Sequence, residues 1–149
     1  MLVDIDLADA LQAMALLSLQ RLAYQQEAEL IAYPALPPLH QTLSELMDCG
    51  EIVLGWCPEG ALLGAVGFVI TDTYLDICRL VVHPAAQQRG IGRALVRAAV
   101  AAAQGKPCRV TTAAANLPAL ALYQQAGFVM DAQFATPDGL ALVSLSHQG

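Results

Sequence analysis

Leu80-Val81-Val82-His83-Pro84-Ala85-Ala86-Gln87-Gln88-Arg89-Gly90-Ile91-Gly92 is the stretch on which the fold turns. It continues the extended apolar run that begins at Tyr74, breaks at His83-Pro84, and opens an Ala/Val/Leu-rich segment that reads as a helix from Gly90 to Gln104. A strand, a glycine loop and a helix start leave backbone N–H groups pointing outward with no acceptor inside the chain. The positive end of the helix macrodipole adds to them, so the place attracts anions. Gly90 and Gly92 have no side chain to hold a phosphate away from that backbone. The chain is therefore expected to bind something that carries phosphates.

Composition bounds the rest. A length of 149 residues suggests one domain, 1–149, with a sizeable core. Hydrophobic content of 56% against 13% charge excludes a disordered or nucleic-acid-tail composition. Alanine inflates the first figure, and no apolar stretch is long enough to span a bilayer: Ala94 to Ala103 is interrupted by Arg97 and too short. Near the start stand Asp4, Asp6 and Asp9 in place of a basic region, so a soluble cytoplasmic protein is expected. The net charge of −6 argues against non-specific nucleic-acid binding. Yet Arg89, Arg93 and Arg97 fall at i, i+4 and i+8 from the anion site onward. Arg89 and Arg93 are expected to contact phosphate; Arg97 is a phosphate contact or a solvated helix side. Cys49, Cys57, Cys78 and Cys108 show no C-x-x-C pairing and read as reduced, largely buried thiols, with no metal site.

Along the chain, Leu2 to Ile5 reads as a first strand. Asp6 caps a helix to about Ala23, with Leu7, Leu11, Met14, Leu17 and Leu22 near one stripe. Tyr24 to Leu36 is ambiguous; Pro37-Pro38 starts a second helix that Gly50 ends. Ile52 to Trp56, Leu62 to Ile70 and Tyr74 to Val82 form an antiparallel meander. After the Gly90 helix come a strand Arg109 to Ala113, a helix Asn116 to Ala126 closed by Gly127, and a hairpin of Phe128 to Phe134 with Leu140 to Leu145. The order β-α-α-β-β-β-α-β-α-β-β predicts an α/β (α+β) fold, a mixed sheet with helices packed on it. The crossover between residues 74 and 113 is expected to be parallel.

Two motifs in this order carry a resemblance. Leu80-Val81-Val82-His83-Pro84 with Gln87-x-x-Gly90-x-Gly92, then Asn116-x-x-Ala119-x-x-x-Tyr123-x-x-x-Gly127-Phe128, resemble the GNAT superfamily of acetyl-CoA-dependent N-acetyltransferases across almost the whole chain. A dinucleotide-binding reading fails, because G-x-G-x-x-G is absent and no acidic residue lies about twenty positions on. The resemblance implies a mostly antiparallel central sheet of six to seven strands with helices on both faces, and acetyl-CoA as co-substrate. It also implies that the strand before the loop splays from its neighbour, freeing an edge for the pantetheine arm. The backbone of Leu80, Val81 and Val82 would line that arm, with the Leu80 N–H polarising the thioester carbonyl. Gln87, Gln88, Arg89, Gly90, Ile91, Gly92 and Arg93 would cradle the pyrophosphate.

Asn116 and Tyr123 share a helix face. Asn116 is a cap residue or a contact of the CoA arm. Tyr123 is core packing or, as the resemblance implies, the acid that protonates the leaving thiolate. For the base that deprotonates the acceptor ammonium three readings stay open: Asp76, Glu27 or Glu29, or a water chain. Simple alternation puts Asp76 on one face with Cys78, Leu80 and Val82, unless a bulge breaks the parity. Arg79 is an ion-pair residue or a clamp for an acceptor carboxylate; His83 reads as a turn residue. The activity implied is acetyl transfer to a primary amine of a small molecule or peptide by direct attack in a ternary complex. A non-catalytic acyl-CoA-sensing or partner-binding module on the same fold is the alternative, and the resemblance also allows a homodimer.

Overall fold

The structure, a computed structural model, describes Met1–Gly149 and has the expected element order. Strand β1 (Leu2–Ile5) leads to helix α1 (Ala10–Leu30), a 3-10 turn (Pro37–His40) and the short helix α2 (Leu43–Met47). Strands β2 (Ile52–Trp56), β3 (Gly64–Ile70) and β4 (Leu75–Val82) follow, then α3 (Ile91–Ala102), β5 (Cys108–Ala113), α4 (Leu117–Gln125), β6 (Val129–Ala135) and β7 (Ala141–His147). The seven strands form one sheet in the order β1-β2-β3-β4-β5-β7-β6, and β4–β5 is its parallel pair. No helix is long and apolar enough to cross a membrane.

Each face of the sheet carries its own core. Val66, Phe68, Leu75 and Ile77 pack on one face with Leu95, Val96 and Ala99 of α3 and with Tyr123 and Phe128. Val53, Ala65 and Val81 pack on the other with Leu16, Leu17 and Tyr24 of α1 and Leu46 of α2. Strand β3 lies between them, which is why Gly64-Ala-Val-Gly-Phe reads as a continuous buried run.

Helix α1 departs most from the sequence expectation. Its cap is Asp9, whose carboxylate accepts the Leu11 N–H at 3.0 Å; Asp6 instead accepts from Ala8 in the turn before it. No glycine or proline interrupts the chain before Pro34, so the helix runs past Ala23 to Leu30 and carries Glu27 and Glu29. The buried residues are Ala13, Leu16, Leu17, Leu19, Gln20, Tyr24 and Ala28, while Leu11, Met14 and Leu22 face solvent. Leucines on both sides of the helix hid that buried stripe from a search for apolar period, and Gln20 belongs to it for a polar reason.

The second helical segment is divided. Pro37-Pro38 supports only the 3-10 turn, and α2 is started separately by Thr42 and Glu45, which bond each other's backbone in a capping box.

Candidate active site

The site begins at a bulge. Strand β4 pairs with β3 in one register from Leu75 to Ile77 and in another from Arg79 to Val82, leaving Cys78 as the extra residue. Leu75 and Ile77 belong to the core under α3, as do Leu80 and Val82, whereas Arg79 and Val81 turn to the α1 face with Asp76. Simple alternation therefore fails at Cys78: Asp76 does not share a face with Leu80 and Val82.

The same bulge ends the parallel ladder. β4 and β5 pair over Leu75–Ile77 with Cys108–Val110 and no further, while β5 stays paired with β7 through Ala113. Beyond Ile77 the two strands diverge. The His83 N–H donates to the carbonyl of Leu63, the residue just before β3, at 2.8 Å. Alternation from that bond turns the main-chain groups of Arg79 and Val81 toward β3 and those of Leu80 and Val82 toward the gap. Val81, expected beside Leu80 and Val82 as a backbone contact, instead faces β3 and buries its side chain under α1.

The loop after β4 is an array of free donors. None of the backbone N–H groups from Gln87 to Arg93 donates to an acceptor in the protein. Gln88 (φ 64°) and Gly90 (φ 80°) both adopt left-handed backbone. Alternating hand in this way aims successive N–H groups at one concavity, and holding Gln88 there costs strain. Gln87 to Gly90 are exposed, and a Cβ on Gly90 would meet nothing within 4 Å. Gly92 is bare for a packing reason as well. A Cβ there would lie 3.0 Å from Leu122, so this glycine lets α3 approach α4. Its N–H still belongs to the free first turn of the helix.

Of the arginines, Arg89 bonds the Ala85 carbonyl at 3.2 Å and Arg93 bonds Gln125 of α4 at 3.1 Å. Arg97 is exposed further along α3. The Gln87 side chain reaches Gln26 of α1 at 2.6 Å, and His83 accepts the Ala85 N–H at 3.0 Å, a turn role.

Between the diverging strands lies a cavity of about 390 Å³, at the small end of small-molecule sites. Tyr24 and Glu27 of α1 enter it from one side, Asn116 and Tyr123 of α4 from another. Asn116 caps α4 by accepting the Ala119 N–H at 3.3 Å, and its amide donates to Glu27 at 2.5 Å. Both open readings of Asn116 survive, because its oxygen caps the helix while its nitrogen faces the cleft. Burial pushes the Glu27 carboxyl up, against the opposing pull of the Asn116 bond. Tyr123 is buried, stacked edge-on against Phe128 at 5.5 Å, and burial holds its hydroxyl firmly protonated. No buried side-chain polar atom lacks a partner. The Tyr123 hydroxyl bonds nothing in the protein, so it opens to the cavity.

The other two carboxylates lie elsewhere. Asp76 is outside the cavity lining, paired across the ladder with Arg109, whose guanidinium stacks 3.7 Å over the Tyr74 ring. Glu29 is exposed on α1, bonded to Gln25. Arg79 is spent on a buried network: both carboxylate oxygens of Glu51 at 2.8 and 2.7 Å, with Gln20 at 2.6 Å and Gln41 at 2.9 Å. This is the polar reason for Gln20 on the buried stripe of α1. Tyr24 went unnoticed in the sequence. Its i, i+3 spacing from Glu27 would have been the clue, once the helix was known to continue past Ala23. The four cysteines are all free thiols; Cys108 is buried and the bulged Cys78 is exposed.

Known proteins agree with this geometry. The profile of the Acetyltransferase (GNAT) family matches residues 14–128. The chain is 35% identical over 140 residues to the UPF0157 protein YqkA of Bacillus subtilis (strain 168), covering 93% of this chain but only 40% of that protein. In fold it is similar to the ribosomal-protein-S18-alanine N-acetyltransferase from Escherichia coli, with TM-score 0.76, 16% identity and coverage of 98% and 91% of the two chains. It is also similar to yncA, a putative acetyltransferase from Salmonella typhimurium solved with acetyl-CoA, with TM-score 0.75, 19% identity and coverage of 99% and 92%. A splayed β4–β5 edge, a loop of free amides and a profile matched over most of the length have one reading: this chain belongs to the GNAT acetyltransferase family.

Proposed function

We propose that the chain is an N-acetyltransferase that moves an acetyl group from acetyl-CoA to a primary amine by direct attack in a ternary complex. The observation that carries the reading is the succession, along one stretch of chain, of an unpaired strand edge and a loop of free amides. Free amides at Gln87–Arg93 follow the free edge of Leu80 and Val82, and Leu80 lines the cavity that holds Glu27 and Tyr123.

The residues fit acetyl-CoA as follows. The amides of Gln88 to Arg93, with Arg89 beside them, supply donors for a pyrophosphate with no side chain at Gly90 in the way. Leu80 and Val82 offer main-chain groups to an extended arm as a neighbouring strand would. The Leu80 N–H is a fixed dipole for the carbonyl oxygen, a type of contact worth roughly 3 kcal/mol in other enzymes. Acetyl-CoA itself supplies the activated acyl carbon.

Glu27 takes a proton from the acceptor ammonium, directly or through one water, and Asn116 holds that carboxylate in place. Tyr123 gives its proton to the departing sulfur. The amine nitrogen gains a bond to the acetyl carbon as the carbon–sulfur bond breaks; its second proton restores the Tyr123 hydroxyl, leaving amide, free thiol and the one proton taken up by Glu27. Alignment of amine and acyl group in the small cavity supplies much of the rate.

The test is thiol release from acetyl-CoA by the full chain over a panel of amines, with CoA binding followed in parallel by calorimetry. Amine-dependent release supports the reading. Tight CoA binding without transfer to any amine points instead to a sensing module.

A further inference from the structure

The cavity extends beyond Glu27 toward the β6–β7 hairpin. There its walls are Ile31, Leu36, Pro38, Leu140 and Leu142, with Thr136 as a neutral polar group. Tyr33, just after α1, donates to Asp138 in that hairpin and so bridges the two sides. Asp138 also accepts from Thr136, which leaves its carboxylate engaged at the rim.

Charge in this chamber is sparse. Glu27 and Arg79 are the only charged residues that line it. Arg79 already faces Glu51, Gln20 and Gln41, and Glu51 is covered in turn. Glu27 is thus the one carboxylate that faces the cavity without a cationic partner. A second ammonium inside the chamber would sit against proline and leucine, since Asp138 is exposed at the rim and outside the lining, and an acceptor carboxylate would find no free cation. Either leaves a desolvated charge, a severe penalty in an apolar enclosure. An apolar body, by contrast, gains from covering these walls.

We infer that the acceptor is a small apolar monoamine, with its single ammonium at Glu27 and an uncharged body against the Ile31–Leu36–Leu140–Leu142 wall. This rests on the acetyl-transfer reading above. It sets aside polyamines, aminoglycosides and amino acids. A cavity of about 390 Å³ has room for a small body, which disfavours a peptide.

Thiol release at saturating acetyl-CoA tests this with phenethylamine, L-phenylalanine, spermidine, kanamycin and a short peptide with a free N-terminus. Phenethylamine and L-phenylalanine differ only in the carboxylate. The expected result is a kcat/KM for phenethylamine about 100-fold above the other four. In Leu140→Glu, which adds a carboxylate to the apolar wall, the spermidine-to-phenethylamine ratio should rise about ten-fold. Preferred turnover of spermidine, kanamycin, L-phenylalanine or the peptide by the unaltered protein overturns this inference and leaves acetyl transfer standing. Calorimetric CoA binding with no release for any amine overturns both.

Discussion

The carboxylate of Glu27, near the end of α1, accepts the side-chain amide of Asn116, the first cap of α4, at 2.5 Å across the cleft between β4 and β5. Two helices from opposite faces of the sheet meet there because the strands between them have parted. The bond holds one carboxylate, raised by burial, beside the opening through which an acyl group would enter.

Glu27→Gln keeps this acceptor for Asn116 but cannot take a proton. Turnover should fall about 100-fold or more with acetyl-CoA affinity unchanged, as steady-state kinetics and calorimetry would show. Loss of affinity with intact turnover would assign Glu27 to binding instead.

The pH dependence follows from the same group. A base with a raised carboxyl gains activity as pH climbs through that elevated value, so the acidic limb of kcat should lie above the ordinary carboxylate range and vanish in Glu27→Gln. For stability the sign is opposite. A raised folded-state value means the protonated form favours folding, an advantage complete below the unfolded value and lost as pH rises through the folded one. Glu27→Gln should therefore melt higher than the parent at pH 7, with no gain below about pH 4, checked by calorimetric scans.

Tyr123→Phe removes one hydroxyl and leaves the edge contact with Phe128. A fall in kcat of about 100-fold with little change in acetyl-CoA Kd is expected. Unaltered turnover would end its role as acid. Because burial keeps this phenol protonated well above its usual range, it should contribute no alkaline limb to the profile.

Arg89→Glu reverses charge beside the free amides, and Arg97→Glu makes the same change two turns along α3. The first should weaken CoA binding about ten-fold or more, the second hardly at all. Equal effects on calorimetric affinity would mean a diffuse field rather than a phosphate site. Gly92→Glu is a poorer probe, since its side chain would also collide with Leu122.

Glu51→Ala leaves the Arg79 guanidinium buried with only amide partners. The expected loss is about 3–5 kcal/mol of folding free energy in urea titration. Arg79→Met with Glu51→Leu together should cost far less, since neither charge is then stranded. A mild Glu51→Ala would show the pair to be well hydrated.

The element order, the glycine loop after β4 and the Tyr123 helix were legible in local pattern. Strand alternation, the proline and glycine breaks and the 87–92 motif each depend on neighbours in the chain, so one-dimensional reading suffices for them. The true length of α1 was less so, because Tyr24 to Leu36 lacks a clean apolar period and its buried stripe includes a glutamine.

What only the tertiary structure decided are the relationships that cross the sheet. The bulge at Cys78 comes from pairing with β3, and it is what turns Asp76 away and parts β4 from β5. Selection of Glu27 over Glu29 and Asp76 as the carboxylate in the cavity followed from where α1 crosses the opening. The commitment of Arg79 followed from Glu51, Gln20 and Gln41, residues far from it in sequence. The chain alone determined which segments would be strands, helices and a glycine loop, because backbone sterics and hydrophobic period act over a few residues. Which carboxylate meets which side-chain amide is settled by packing between distant elements, where burial and hydrogen bonding act through space.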